Sequence, residues 1–230
     1  LGQVLYNNGY VLTSELTVPD NREIINEKFD YLIQNNDVII TCGGIGPTED
    51  DFTKEVISKY LKLNLILDND HLSWMESRWK NRGLVMPDNN IKQAEIPEGA
   101  KKLHNTNGTS PGIYIEVKDK HIFILPGPPR EFNPLVSDEI IPFLSKNFKT
   151  TNKDYGFFLF FNQAESALAQ EIDNFKPKNL DIAYLASKGI IKLRYDKNSV
   201  DSDELLSFEN NIKKILNDYI LSTENVPSSR

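Results

Sequence analysis

The residues with chemistry to offer gather between Asp37 and Val56, in the stretch DVIITCGGIGPTEDDFTKEV. The apolar run Val38-Ile39-Ile40 leads into Gly43 and Gly44. Gly46 and Pro47 follow, then the carboxylates Glu49, Asp50 and Asp51, then a helical pattern. That order reads as a buried strand, a tight turn and a helix N-terminus, the way an α/β fold builds a site for a phosphorylated ligand. Glycines let backbone N–H groups approach a phosphate, and a helix beginning near Thr53 adds a partial positive charge. Carboxylates at the same place repel a phosphate unless a cation lies between them. One aspartate suffices as a helix cap, a role worth on the order of 1 kcal/mol. The second points to a hard divalent cation, held by one or two carboxylates and the substrate's own phosphates. Such glycines equally suit a plain strand-to-helix connection, so the rest of the chain must decide.

A second strand–turn–helix unit repeats the arrangement. His121 to Leu125 runs into Pro126-Gly127-Pro128-Pro129, and a helix over Arg130 to Leu144 follows with Glu131 at its start. Prolines are tolerated there because first-turn N–H groups lack intrahelical partners, and an acidic residue suits the helix dipole. Asp20, in Pro19-Asp20-Asn21, reads first as a turn former or cap. Lys92 is a solvated lysine unless its neighbours Asn90 and Gln93 make it a phosphate ligand, and Thr109 in Gly-Thr-Ser-Pro-Gly has the same standing. His71, His104 and His121 lack metal-ligand spacing, which argues against zinc. Cys42 has no paired histidine and reads as a small buried residue at a strand end. Ser110 and Ser166 sit in no nucleophile-elbow pattern.

The elements that must position these groups follow from periodicity. Tyr10 to Val18 suits a strand. A helix with Ile25, Phe29, Leu32 and Ile33 as its stripe leads to the strand at Val38, so a parallel β-α-β unit is expected. Leu1 to Asn8 is too short and mixed to be a complete element. Val56, Ile57, Tyr60 and Leu61 share a helix face, and Asn69 to Arg82 is helical with Leu72, Met75 and Trp79 as its stripe. Lys101 to Asn105 reads as a short strand, and Ile113 to Val117 and His121 to Leu125 as a hairpin. Ser145 to Asp154 is polar and marks a boundary, with residues 148–154 as the linker. Beyond it a β-α-β-β-α order implies a small α+β domain, its last helix over Ser202 to Ile220 carrying Leu205, Phe208, Ile212, Ile215 and Tyr219.

Composition sets the outer limits. The 230 residues are 39% hydrophobic and 26% charged, with a net charge of −7. The overall field therefore lacks the basic footprint of a nucleic-acid-binding chain. A small anionic ligand needs local cations or a metal instead. No apolar stretch reaches the roughly 20 residues that span a bilayer, and no signal peptide opens the chain, so no membrane partner is expected. One cysteine excludes an internal disulfide and favours a reducing compartment, the cytoplasm by expectation.

TCGGIGPTEDDFT resembles the strand-end signature of the molybdopterin-binding domain, in the form found in competence/damage-inducible CinA proteins. MPDNNIKQAEIPEGA, NGTSPG and ILPGPPREF resemble further CinA blocks in order, and Asp20-Asn21 resembles the family's acidic turn. Together they cover Tyr10 to Leu144. FFNQAESALAQEI and DIAYLASKGIIKLR resemble the KH-like domain that follows. The resemblance implies an α/β three-layer sandwich with a mostly parallel sheet over residues 1–147, then an α+β KH-like domain over 155–221. It implies a homodimer and a metal-dependent pyrophosphohydrolase that cleaves ADP-ribose-like nucleotides. Asp51, with Asp50 or Asp20, would hold Mg²⁺ or Co²⁺, with K⁺ as a further cation. The turns of Gly43, Gly44, Gly46 and Thr48 and of Gly127 and Pro128 would cradle the nucleotide, with Asn90, Lys92 and Thr109 on its phosphates. Either Glu131 or a metal-bound hydroxide would be the base.

The family's opening is matched only in part, by Leu1-Gly2-Gln3-Val4, implying a missing first strand and an internal loop or helix. Nothing in these residues resembles the C-terminal nicotinamide-mononucleotide deamidase domain of long CinA proteins, and that activity is not carried over. No Gly-x-x-Gly loop lies in Pro177 to Tyr195, and residues from 150 on are mildly acidic, so no RNA is expected. Two other readings stand beside hydrolysis: a pterin- or nucleotide-binding module without turnover, and an interaction subunit for a separate deamidase.

Overall fold

The computed structural model describes residues 1–150, 154–187 and 189–224. The chain forms two compact units, Leu1–Lys149 and Thr150–Arg230. Of the linker expected at 148–154, residues 151–153 lie outside the described residues.

In the first unit the elements are α1 (Gly2–Asn7), α2 (Arg22–Asn35), β1 (Val38–Cys42), α3 (Thr53–Leu61), β2 (Leu65–Leu67) and α4 (Asn69–Lys80). A 3-10 helix (Asp88–Ala94) follows, then β3 (Glu95–Pro97), β4 (Lys101–Leu103), β5 (Gly112–Val117), β6 (Lys120–Leu125), α5 (Pro129–Leu135) and α6 (Ile141–Asn147). A π-helical turn over Val136–Ile140 joins α5 to α6, next to Pro134, which has no N–H to give the regular ladder. The α/β class is the one expected, and the sheet is mixed, in the order β1-β6-β5-β4. Only β1 and β6 run parallel, with Val38 opposite His121 and Cys42 opposite Leu125. The other two pairings are antiparallel, where a mostly parallel sheet was expected. The hairpin at Lys118-Asp119 is as read, with both residues at positive φ as a tight two-residue turn demands.

The structure departs from the expected elements in three places. Tyr10 to Val18 forms no strand. Val11 is 72% exposed, and β-branched residues make a strand only where a neighbour pairs with them. The parallel β-α-β unit built on it is therefore absent among the described residues. Leu1 to Asn8, dismissed as an element, forms the short helix α1 and buries Leu5. The antiparallel pair β2–β3, Leu65 opposite Pro97, is too short to have shown periodicity.

Side chains of β6 alternate strictly between two cores. Phe123 and Leu125 join Phe132, Leu135, Val136 and Ile140 from the α5–α6 region. Ile122 and Ile124 join Phe29 of α2, Ile39 of β1 and Ile57 of α3. Period-2 alternation with apolar residues on both faces is what a sheet covered by helices on each side requires. The result is a three-layer sandwich.

The second unit contains β7 (Tyr155–Phe161), α7 (Glu165–Asp173), β8 (Ile182–Ser187), β9 (Ile190–Asp196), α8 (Ser202–Leu216) and β10 (Ile220–Ser222). Its sheet is antiparallel in the order β10-β7-β9-β8. Phe158, Phe160, Ile191, Leu193 and Tyr195 line one face, and Leu168, Ile172, Phe208, Ile212 and Leu216 of the helices cover it. The α8 stripe ends at Leu216, because Ile215 is 46% and Tyr219 38% exposed. No helix among the described residues is long and apolar enough to cross a membrane.

Ile122 is fully buried where the sheet meets α2 and α3. Truncation there removes methyl groups and leaves a cavity, so Ile122→Ala is expected to cost about 2–5 kcal/mol. Ile66→Ala, at a half-exposed position, should stay within about 0.5 kcal/mol of wild type. Thermal and urea unfolding of both variants check this.

Candidate functional site

The parallel pair β1–β6 places its two carboxyl ends side by side. The turn after β1 leads to α3, which packs on the Ile122/Ile124 face, and the turn after β6 leads to α5, on the opposite face. Where successive helices part in this way a crevice opens outside the strand ends, the usual ligand position in an open α/β sheet. Gly43 donates its N–H to the Leu125 carbonyl at 2.9 Å, which extends the pairing into the turns. A Cβ on Gly127 would lie 3.4 Å from the Gly43 Cα, so the two turns touch backbone to backbone. Gly43 and Gly44 both have positive φ, and a Cβ on Gly44 would overlap the Thr53 side chain that begins α3. This is backbone geometry that only glycine meets without strain.

A cleft of about 460 Å³ opens over these turns, within the usual range for small-molecule sites of roughly 300–1,000 Å³. Of the residues singled out from the sequence it brings together Gly43, Gly44, Gly46, Asp51, Thr109, Gly127, Pro128 and Glu131. It does not include Asp20, Thr48, Asp50, Asn90 or Lys92. Asp20 is exposed in the turn before α2, where the neighbouring Asn21 caps the helix by accepting from the Ile24 N–H at 3.0 Å. Asn90 is buried and donates to the Pro87 carbonyl and the Asn89 side chain.

Asp51 is not a helix cap, since α3 has Phe52 at its N-cap and no side-chain cap bond. Its Oδ2 accepts instead from the Thr48 N–H at 3.1 Å and the Thr48 hydroxyl at 2.5 Å, closing the 48–51 turn. Thr48 thus faces Asp51. Lys92, expected on a phosphate, is committed to the same turn. Its ammonium donates to the carbonyls of Thr48 and Asp51 and pairs with Glu55 at 3.2 Å. Asp50 is exposed beside the turn and does not join Asp51 in the cleft.

The opposite wall is the 105–110 loop. The Asn105 amide donates to the Ser110 carbonyl at 2.7 Å and to Glu131 Oε2 at 2.8 Å, while its Oδ1 accepts from the N–H groups of Asn107 and Gly108. The Ser110 hydroxyl donates to the Ile45 carbonyl at 2.5 Å and ties this loop to the first glycine turn. His71 Nε2 lies 2.9 Å from the Thr109 carbonyl. Burial pushes the His71 pKa below its ordinary value, so the neutral ring donates this bond at neutral pH.

A family model described as "Probable molybdopterin binding domain" matches residues 1–146. The chain belongs to the molybdopterin-binding-domain family. It is 37% identical to the "Putative competence-damage inducible protein" of Caldicellulosiruptor bescii, over 97% of this chain and 58% of that one. A protein of the same name from Clostridium beijerinckii is 35% identical, over 98% and 59%. The chain thus spans under two thirds of the length of these curated relatives. Among solved structures, "The crystal structure of the protein CinA with unknown function from Thermoplasma acidophilum" superposes with a TM-score of 0.55 at 30% identity, over 64% of this chain and 82% of that one. The CinA resemblance carried by the glycine turn agrees with each of these.

Several residues of this cleft were not singled out from the sequence, namely Arg78, Arg82, Trp79, Asn107 and Arg130, and Gln93, named there only as a neighbour of Lys92, lines it too. The i, i+4 spacing of Arg78 and Arg82 was the available signal. Trp79 was assigned to a core stripe, yet of that stripe only Met75 is fully buried. Gln93 is 6% exposed, and its Oε1 has no hydrogen-bond partner among the described residues. Cys42, expected to be buried, is exposed at the end of β1, and desolvation still raises its thiol pKa.

Next to the 3-10 helix lies a buried cation. Lys54 of α3 is 2% exposed and donates to the carbonyls of Lys92 at 2.6 Å and Glu95 at 2.7 Å. It clamps the 3-10 helix onto α3. Burial pushes its pKa down to about 8, with Glu55 and Glu95 opposing the shift. Between pH 8 and the ordinary value of 10.5 the unfolded chain holds a proton that the folded chain has released. Folding stability therefore rises with pH across that window. Urea unfolding from pH 7.5 to 10.5 is expected to show wild type gaining on Lys54→Met by up to about 3 kcal/mol. Separately, Gly44→Ala should lower stability by roughly 2 kcal/mol through its overlap with Thr53, measured by thermal unfolding.

Proposed function

We propose that the first unit binds a nucleotide with linked phosphates and hydrolyses its phosphoanhydride, with ADP-ribose or a close relative as substrate. The observation that carries this reading is the contact of two glycine turns at the ends of β1 and β6, beneath a cleft rimmed by Arg78, Arg82 and Arg130. Against those three guanidinium groups stand the carboxylates Asp51 and Glu131. The cleft is thus locally positive in a chain of net charge −7. Guanidinium forks and backbone N–H groups are the donors that phosphate oxygens take.

The residues fit a hard divalent cation in a limited way. Among the described residues no group of three or more His, Cys, Asp or Glu side chains converges. Mg²⁺ commonly uses only one or two carboxylates and takes its remaining oxygens from substrate and water. Asp51 answers to that, because Thr48 occupies its Oδ2 while its Oδ1 accepts no hydrogen bond among the described residues. Asp51 would hold Mg²⁺ or Co²⁺, which when bound supplies charge neutralisation at the phosphoryl oxygens. The chain's own share is to orient the anhydride on the two turns and to spread its charge over the arginines. Water oxygen forms the new P–O bond, the anhydride P–O bond breaks, and AMP and a sugar phosphate leave. Glu131, held by Asn105 at the cleft wall, would take the water proton.

The family description favours a second reading, retention of a pterin or nucleotide without turnover. Assays of ADP-ribose with Mg²⁺ or Co²⁺ separate the two. Turnover is expected, with Asp51→Asn lowering kcat by about 10²-fold or more and Arg130→Gln raising KM by about tenfold. Turnover unchanged in Asp51→Asn sinks the hydrolytic assignment. Tight binding without product establishes the second.

A further inference from the structure

The arginines and glycine turns account for phosphates and carry no information about the rest of the ligand. Gln93 does. It lines the cleft, is 6% exposed, and has a side-chain Oε1 with no hydrogen-bond partner among the described residues. Buried polar atoms in folded proteins are nearly always paired, so one left open beside a ligand-sized cleft marks where a ligand's polar group belongs. An aromatic side chain lines the same cleft. Gln93 sits on the 3-10 helix Asp88–Ala94, which packs against α4, and the half-buried Trp79 of α4 lines the same cleft.

We propose that Gln93 and Trp79 read the base of the nucleotide and select an aminopurine. A primary amide offers one acceptor and one donor side by side, the complement of an exocyclic N–H next to a ring nitrogen, as in adenine. The indole gives the ring an apolar contact that any base would share, so Trp79 contributes affinity and Gln93 contributes choice. The backbone on either side of Gln93 is held by the Lys54 clamp on the Lys92 and Glu95 carbonyls. This inference rests on the nucleotide reading above and adds the residues that recognise the base.

The test is calorimetric and needs no turnover. AMP, purine riboside 5′-monophosphate (the same nucleotide without the 6-amino group) and inorganic pyrophosphate are titrated into the whole chain with Mg²⁺. Wild type is expected to bind AMP about tenfold or more tightly than the desamino analogue. In Gln93→Leu, with folding checked by its melting temperature, the two nucleotides should bind equally while pyrophosphate binds as before. Trp79→Leu should weaken both nucleotides and spare pyrophosphate, and Trp79→Phe should restore them. Equal affinities in wild type, a measurement that depends on no variant, overturn the proposal, as does discrimination that survives Gln93→Leu. If nucleotides bind without discrimination, only the base-reading role fails. If neither nucleotide nor pyrophosphate binds, the nucleotide reading fails with it.

Discussion

The first unit depends on one close approach, the backbone of Gly127 against that of Gly43 at the ends of two parallel strands. Gly43 needs glycine for its positive φ, and Gly127 lies against it so closely that even a Cβ there would already be in van der Waals contact. The contact is available because β1 and β6 are neighbours in register, Cys42 opposite Leu125. That register is fixed in turn by the alternation of Ile122, Phe123, Ile124 and Leu125 between two cores. A slip of one residue would turn every one of these side chains to the wrong face. Site geometry and hydrophobic packing are therefore one constraint.

Around that contact the polar network divides the labour. Thr48, Lys92 and Glu55 hold Asp51 and its turn, and Asn105, Ser110 and His71 hold the opposite loop. The most conspicuous charged groups in the sequence mostly do such holding, which leaves the arginines, Gln93 and one face of Asp51 to meet a ligand. The locally positive cleft in an acidic chain follows from this arrangement, since Lys92 is spent on backbone carbonyls while Arg78, Arg82 and Arg130 stay at the rim.

Much of this was legible in the residues. The strand–glycine–helix order at Val38 to Thr53 and its echo at His121 to Glu131 gave the two turns and the cleft they form. Local spacing could not say which carboxylate would face inward, because Asp50 and Asp51 differ only in how the Thr48 turn closes. The place of Lys92 is hidden from the sequence for a related reason. Its partners, the carbonyls of Thr48 and Asp51, lie far from it along the chain and carry no side-chain signal. Tyr10 to Val18 has strand composition without a paired neighbour, and composition does not supply one. Trp79 was hidden because helical periodicity assigns a stripe to the core without distinguishing a core from a cleft, and Arg78, off that stripe, reads as an ordinary solvated residue.

The β1–β6 pairing has a consequence for how the protein comes to be competent. Val38 must wait for His121, and the second glycine turn comes later still, so every wall of the cleft is a contact between distant parts of the chain. Non-local pairings of this kind are slow to close, because the intervening loop loses its entropy before the contact rewards it. During synthesis the first turn, α3 and the Lys54 clamp can be assembled while the cleft does not yet exist. Ligand affinity is thus a late marker of folding in this unit, acquired with the closing of the parallel pair and not with the appearance of the glycine motif.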